Sequence, residues 1–154
     1  MAIFLFDSSA LVKRYLKEAG SNWVRAILQP TTGHTILVAQ TTPVELVASV
    51  TRRMRGGFLS VSDADDVISD IVYDSAIQYQ TIQMPHEVVK RAMTLSRVHG
   101  LRGYDAIQLG TAIQVLIRQT GEAISPLRFV CSDKELLQAA AAEGLIVFNP
   151  NLVD

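Results

Sequence analysis

The sequence predicts an α/β domain in which a short, mainly parallel β-sheet is flanked by helices on both faces. Short apolar segments, typical of strands buried on both faces, alternate with longer segments of helical periodicity. The length of 154 residues is usual for one domain. No internal repeat, low-complexity tract or linker divides the chain, so we expect a single domain over residues 1–154.

Four strands are predicted from apolar runs rich in branched and aromatic side chains. They cover residues 3–6, 35–39, 128–131 and 145–148. The first run leads directly into Asp7, without a basic segment before it or a small-residue cleavage site after it. We therefore interpret it as a strand rather than a signal peptide. No apolar run approaches the ~20 residues that a membrane-spanning helix needs.

Helices are predicted where apolar residues recur every three or four positions after a capping residue. They cover about residues 8–17, 23–28, 42–55, 62–78, 85–99, 103–120 and 133–142. Ser8 or Ser9 is expected to cap the first. Two later helices begin with a capping-box pattern, Thr42 with Glu45 and Ser132 with Glu135.

The charge distribution argues against a generally basic nucleic-acid-binding surface. The net charge is −1, but residues 1–58 carry seven Lys and Arg against three acids, whereas residues 59–80 carry five Asp and no Lys or Arg. We interpret the acidic run as a solvated helix face, with an interface to a basic partner as the alternative. The only cysteine, Cys131, cannot form an internal disulfide, which favours the reducing cytoplasm.

Four acids follow predicted strands or begin predicted helices. Asp7 directly follows the first strand, and Asp133 follows the 128–131 strand with only Ser132 between. Glu45 and Asp105 lie in the first turns of two helices. Each acid alone has an ordinary explanation, because carboxylates are favoured at helix N-termini. Together they are expected to meet at one edge, because functional sites of parallel sheets form at the carboxyl ends of the strands.

Such a cluster predicts a bound cation. Four crowded carboxylates repel each other, and burial raises the pKa of some of them, so a positive charge among their oxygens is needed. The three histidines show no ligand spacing, and oxygen donors favour Mg²⁺ or Mn²⁺. A site of this kind suits hydrolysis of phosphodiester bonds by a metal-activated water.

Four sequence blocks carry a family resemblance. Residues 3–13 (IFLFDSSALVK) resemble the opening of a PIN domain in the style of the VapC ribonuclease toxins. Residues 42–45 (TPVE), 101–108 (LRGYDAIQ) and 132–137 (SDKELL) resemble the second, third and fourth blocks. The blocks occur in the family's order and spacing and span essentially the whole chain.

The resemblance implies a PIN-like fold and a Mg²⁺- or Mn²⁺-dependent endoribonuclease that cleaves RNA. It also implies a cognate antitoxin protein as partner, a homodimer, and no association with membranes. The family's catalytic and metal-binding acids fall on what we call the four motif acids: Asp7, Glu45, Asp105 and Asp133. Ser9 and Ser132 fall where the family often has hydroxyls near the metal, and they are expected to orient its ligands. Glu135 occupies a position that is acidic in some members, and its role stays open.

Two basic residues are candidate RNA contacts. Arg52 follows Glu45 at the spacing of one helix face, and Lys13 follows Asp7 by two turns. A solvated helix surface is the alternative for both.

Other functions fit less well. A haloacid-dehalogenase-type phosphatase needs a second Asp two residues after the first, and Ser9 stands there. A catalytically silent PIN-fold binding module typically loses site acids, and all four are present. A DNA-directed nuclease of the same superfamily usually carries a helical insertion, for which this length leaves no room. The last two remain the alternatives to a ribonuclease.

Overall fold

The computed structural model describes residues 1–119 and 125–153. Its centre is a five-stranded sheet in the order β3-β2-β1-β4-β5, in which every neighbouring pair is parallel. The strands are β1 (Ile3–Phe6), β2 (Thr35–Ala39), β3 (Gln80–Ile82), β4 (Leu127–Val130) and β5 (Ile146–Phe148). The α/β class is as predicted, and the described sheet is wholly rather than mainly parallel.

Seven α-helices surround the sheet within the described residues. They are α1 (Ser8–Tyr15), α2 (Ser21–Ile27), α3 (Thr42–Arg55), α4 (Val61–Ile77), α5 (His86–His99), α6 (Gly103–Gln119) and α7 (Lys134–Ala142), with short 3₁₀ turns at Pro30–Thr32 and Pro150–Leu152. The predicted end of the sixth helix, at residue 120, lies outside the described residues. None of the helices described is long and apolar enough to cross a membrane.

Alternation along β1 builds a separate core on each face of the sheet. Phe4 and Phe6 point to the face covered by α1, α2, α3 and α4, whereas Leu5 points to the face covered by α5, α6 and α7. All three side chains are buried. Helices therefore cover both faces, as the apolar strands predicted.

The strand register brings three strand ends to one level. Phe6 pairs with Val38 on β2 and with Val130 on β4. The backbone N–H of Asp7 still donates to the carbonyl of Val130, at 3.0 Å. Side chains that follow β1 and β4 therefore emerge at the same edge of the sheet.

One strand was not predicted. β3 has the sequence Gln-Thr-Ile, which carries little apolar signal, and it pairs only with β2. An edge strand needs less burial than a central one, since one side of its backbone has no neighbour.

The predicted helix caps were partly wrong. Asp7, not Ser8 or Ser9, caps α1, since its Oδ1 accepts from the N–H of Ala10 at 3.0 Å. Asp133, not Ser132, caps α7, because its Oδ1 accepts from the N–H of Leu136 at 2.8 Å. Each aspartate occupies the N-cap position, where its carboxylate accepts from a backbone N–H group that the first turn of the helix leaves free.

Candidate active site

The four motif acids line one cleft at the carboxyl edge of the sheet. The cleft has a volume of about 430 Å³. Asp7 follows β1, Asp133 follows β4, and Glu45 and Asp105 occupy the first turns of α3 and α6. Serine and arginine side chains complete the polar lining, among them Ser8, Ser9, Ser49, Arg52 and Arg102. Parallel strand topology thus collects into one cleft acids that are up to 126 residues apart in sequence.

Asp7 is the most buried of the four, with 2% of its surface exposed. Its two carboxylate oxygens lie 2.8 and 2.9 Å from Ser9 Oγ, whose single proton they share. Burial raises the pKa of Asp7 to about 7, although hydrogen bonds from Ser9 and Ala10 oppose the rise. An ionised Asp7 is therefore costly in the absence of a nearby positive charge.

Ser9 ties the ends of β1 and β4 together. Its hydroxyl oxygen accepts from the backbone N–H of Ser132 at 2.9 Å while its proton is given to Asp7. Beneath it, Cys131 Sγ lies 3.7 Å from Ser9 Oγ and accepts from the N–H of Asp133 at 3.3 Å. Burial raises the pKa of the Cys131 thiol, so it stays neutral. The hydroxyl of Ser132 is buried without a partner among the described residues.

Glu45 is held by side chains rather than by a capping box. Ser8 Oγ donates to one carboxylate oxygen at 2.7 Å, and Gln108 Nε2 donates to the other at 2.8 Å. Thr42 lies inside α3, and the preceding Thr41 makes no side-chain cap bond to the backbone. The predicted capping box of Thr42 with Glu45 is therefore wrong, although Glu45 does lie in the first turn of α3.

Gln108 is a site residue that the sequence analysis missed. It is fully buried on α6, and its amide also donates to Thr42 Oγ1 at 2.9 Å. Its carbonyl oxygen has no partner among the described residues. One feature of the sequence pointed to Gln108 as a site residue: it follows Asp105 by three residues and therefore lies on the same helix face. The residue it holds, 63 positions away, could not be read from the sequence.

Replacing Gln108 by methionine, which keeps its length, should lower the free energy of unfolding by about 1–2 kcal/mol. The Glu45 carboxylate loses its donor, and removal of the unpartnered Gln108 carbonyl offsets part of that loss. Urea denaturation measures the change. The matched control is Gln138→Met on the exposed side of α7, which should leave stability nearly unchanged. Equal stability of both variants would mean that the Gln108 hydrogen bonds do not hold Glu45.

Asp105 shows that the acids influence one another. It is half-buried, and its pKa is raised first by burial and then by the charges of Asp133 and Glu45. Arg102, on the same cleft, opposes the rise. Asp133 is exposed and is turned toward the start of α7. Negative charge therefore accumulates in the cleft.

The donor set matches a hard divalent cation in chemistry. All four acids offer carboxylate oxygens, which Mg²⁺ and Mn²⁺ prefer. No three His, Cys, Asp or Glu side chains of residues 1–119 and 125–153 already converge as a complete ligand set. Three of the four carboxylates instead accept hydrogen bonds from the chain's own donors: Asp7 from Ser9, Glu45 from Gln108 and Asp133 from Leu136. A bound cation would complete its coordination with water or with substrate oxygens.

The two candidate RNA contacts lie in different environments. Arg52 is exposed and lines the cleft. Lys13 is buried, does not line the cleft, and donates to Glu18 at 3.0 Å, a carboxylate that also pairs with Arg53. Burial and Arg53 lower the pKa of Lys13, and Asp7 opposes that effect. We therefore correct the expectation for Lys13: its ammonium group is buried in an ion pair with Glu18, so it is not placed to contact RNA in the cleft.

Comparison with known proteins gives likeness in structure alone. No family model and no curated protein matches the sequence. Among solved structures, PAE2754 from Pyrobaculum aerophilum is 18% identical, with a TM-score of 0.65, over 95% of this chain and 89% of that one. FitAB bound to an IR36 DNA fragment is 13% identical, with a TM-score of 0.67, over 98% and 97%. VapBC2 from Rickettsia felis, bound to a DNA fragment from its promoter, is 12% identical, with a TM-score of 0.60, over 96% and 98%.

At these identities the likeness concerns the fold, and it extends over nearly the full length of each chain. The topology and the position of the acid cleft agree with what the four sequence blocks implied. The chain therefore has the fold of these solved structures, which is the PIN-like α/β fold that the resemblance implied.

Proposed function

We propose that this chain is a Mg²⁺- or Mn²⁺-dependent endoribonuclease and the toxin of a toxin–antitoxin pair, acting in the cytoplasm. One observation carries the proposal. The acids of four separate sequence blocks line a single cleft, on a fold shared with solved toxin–antitoxin proteins. A structural role for each acid at its own helix start would not require that all four face one cleft.

The reaction is hydrolysis, in which water adds across one P–O bond of the RNA backbone and its proton ends on the leaving oxygen. When bound, the cation supplies charge stabilisation to the phosphate and lowers the pKa of a water molecule. The four motif acids would hold it. Without it, the four motif acids outnumber the two arginines that line the cleft, so a bound cation would favour the approach of a phosphate.

The chain's own hydrogen bonds prepare the carboxylates for this task. Ser9 orients both oxygens of Asp7, and Ser8 and Gln108 each take one oxygen of Glu45. Hydrogen bonds to the ionised form favour it, which partly offsets the burial of these groups. The carboxylates of Asp7 and Glu45 therefore keep a fixed orientation before a ligand binds.

An antitoxin partner and a homodimer belong to the same proposal. Support comes from neighbours that are themselves complexes, including a toxin–antitoxin complex from Klebsiella pneumoniae that is 16% identical with a TM-score of 0.60. The negative cleft also offers a place for a basic side chain of such a partner. Co-expression with the product of a neighbouring antitoxin gene should relieve growth arrest caused by the chain alone. A monomer that is harmless when overexpressed would contradict this part.

The direct test of the enzyme is cleavage of RNA by the purified protein. We expect cleavage of RNA with Mg²⁺ or Mn²⁺, loss of cleavage in EDTA, and recovery when metal is restored. Single-stranded DNA is run in parallel. Cleavage of DNA alone would replace the ribonuclease by a DNA-directed nuclease. Binding of RNA without cleavage under any metal condition would indicate a silent PIN-fold module.

A further inference from the structure

Two exposed apolar side chains stand at the mouth of the acid cleft. Val44 is 62% exposed and Tyr104 is 55% exposed, and both line the cleft. Each directly precedes a motif acid, so the first turns of α3 and α6 present one apolar and one acidic side chain side by side. Single exposed apolar residues are ordinary on protein surfaces. Val44 and Tyr104 differ from such residues because both line one cleft, next to Glu45 and Asp105.

Two arginines border the same cleft. Arg52 and Arg102 are exposed, and within residues 1–119 and 125–153 neither guanidinium makes a hydrogen bond or an ion pair. Some other arginines do have partners, such as Arg14 with Asp74 and Arg91 with Gln114. We call Val44, Arg52, Arg102 and Tyr104 the cleft rim. It combines unpaired positive charge with exposed apolar surface.

We propose that Tyr104 stacks on one base of the RNA substrate and that Arg52 and Arg102 hold the flanking phosphates. This inference rests on the proposed function and assigns the residues that position its substrate. Bases in a duplex are stacked on one another, so an aromatic ring reaches the face of a base only where the strand is unpaired. Val44 adds aliphatic surface for the same base, and arginine suits phosphate oxygens.

Equilibrium binding tests the rim separately from cleavage. The probe is a fluorescently labelled single-stranded RNA oligonucleotide, and Asp105→Asn with Mg²⁺ serves as the cleavage-deficient parent. Adding Tyr104→Ala should weaken binding roughly 5- to 100-fold, whereas Tyr104→Phe, which keeps the ring, should stay within about twofold. The matched control is Tyr73→Ala on α4, which is 63% exposed and lies outside this cleft. It should bind like the parent.

Binding of an RNA duplex of the same sequence tests whether the rim requires an unpaired strand. The duplex should bind the parent weakly, and Tyr104→Ala should not change its binding. Arg102→Ala should reduce the slope of log K against log salt by roughly 0.7, the value for one phosphate contact on a single strand. Arg97→Ala, exposed at the end of α5, is the control for loss of charge.

Steady-state kinetics in the wild-type background completes the test. Tyr104→Ala should raise KM more than it lowers kcat. If Tyr104→Ala changes neither the affinity for single-stranded RNA nor KM, the proposed role of the rim is wrong, whereas the proposed nuclease activity is unaffected. If the wild type binds RNA in a Tyr104-dependent manner but does not cleave it, the proposed role of the rim holds and the proposed enzymatic function is wrong. If Tyr104→Ala instead weakens only the binding of an antitoxin, the rim is a protein interface and the proposal fails.

Discussion

Replacing Asp7 or Asp105 by asparagine should lower the rate of RNA cleavage by at least about 10²-fold, the order expected when a metal site is dismantled. Asparagine keeps the shape of the side chain and one acceptor oxygen, so the contacts of Asp7 with Ser9 and Ala10 can persist. The lost charge is what the cation needs. Initial rates on a labelled RNA, at saturating and at limiting Mg²⁺, measure the effect.

The control for charge is Asp66→Asn, on the exposed face of α4 and outside the cleft. It removes the same charge from the chain and should cleave RNA at the wild-type rate. Circular dichroism confirms that each variant is folded. Activity within a few-fold of wild type in both Asp7→Asn and Asp105→Asn would show that the cleft does not hold a catalytic metal.

The second large effect concerns the stability of Asp105→Asn, which should rise in the absence of metal although the activity of this variant falls. Without metal, Asp105→Asn should melt at a higher temperature than wild type at pH 7, because burial and the charges of Asp133 and Glu45 disfavour an ionised Asp105. Mg²⁺ at ten times its dissociation constant should stabilise the wild type by about 1.4 kcal/mol through mass action. That corresponds to roughly 3–6 °C for a domain of this size. The variant should gain much less.

The measurement is a set of melting curves with EDTA and with Mg²⁺ at matched ionic strength, which separates binding from screening. Asp66→Asn is again the control and should gain as much from Mg²⁺ as the wild type. If wild type shows no shift with metal and Asp105→Asn melts lower in EDTA, the acids act only as helix-start residues. The proposed enzyme would then lose its physical basis.

The pH dependence of the same curves follows from the direction of the pKa shifts. A carboxyl group whose pKa is higher in the folded than in the unfolded chain stabilises the fold at low pH and loses that contribution as pH rises through the folded pKa. For Asp7 the change extends from its ordinary value of 3.8 to about 7. The metal-free wild type should therefore lose stability between about pH 4 and pH 7 relative to Asp7→Asn, and Mg²⁺ should restore most of it.

Local sequence patterns were sufficient for the elements that carry the site. Apolar runs located β1 and β2 at their observed bounds, and the 3.6-residue period located α5, whose buried residues Val88, Ala92 and Leu95 follow that period. Burial on both sides of a strand and on one side of a helix leaves a periodic signal in the residues themselves. The four motif acids were found for a similar reason, since each occupies a fixed position next to a strand end or helix start.

Contacts between distant residues were decided only by the tertiary structure. Gln108 meets Glu45 across 63 positions, and Ser9 meets Ser132 across 123. The burial of Lys13 and the addition of β3 to the edge of the sheet belong to the same class. A hydrogen bond or an ion pair depends on the direction and separation of two side chains, which packing fixes and local composition does not record. The sequence thus determined which acids reach the edge of the sheet, and packing determined what holds them there and which side chains border the cleft.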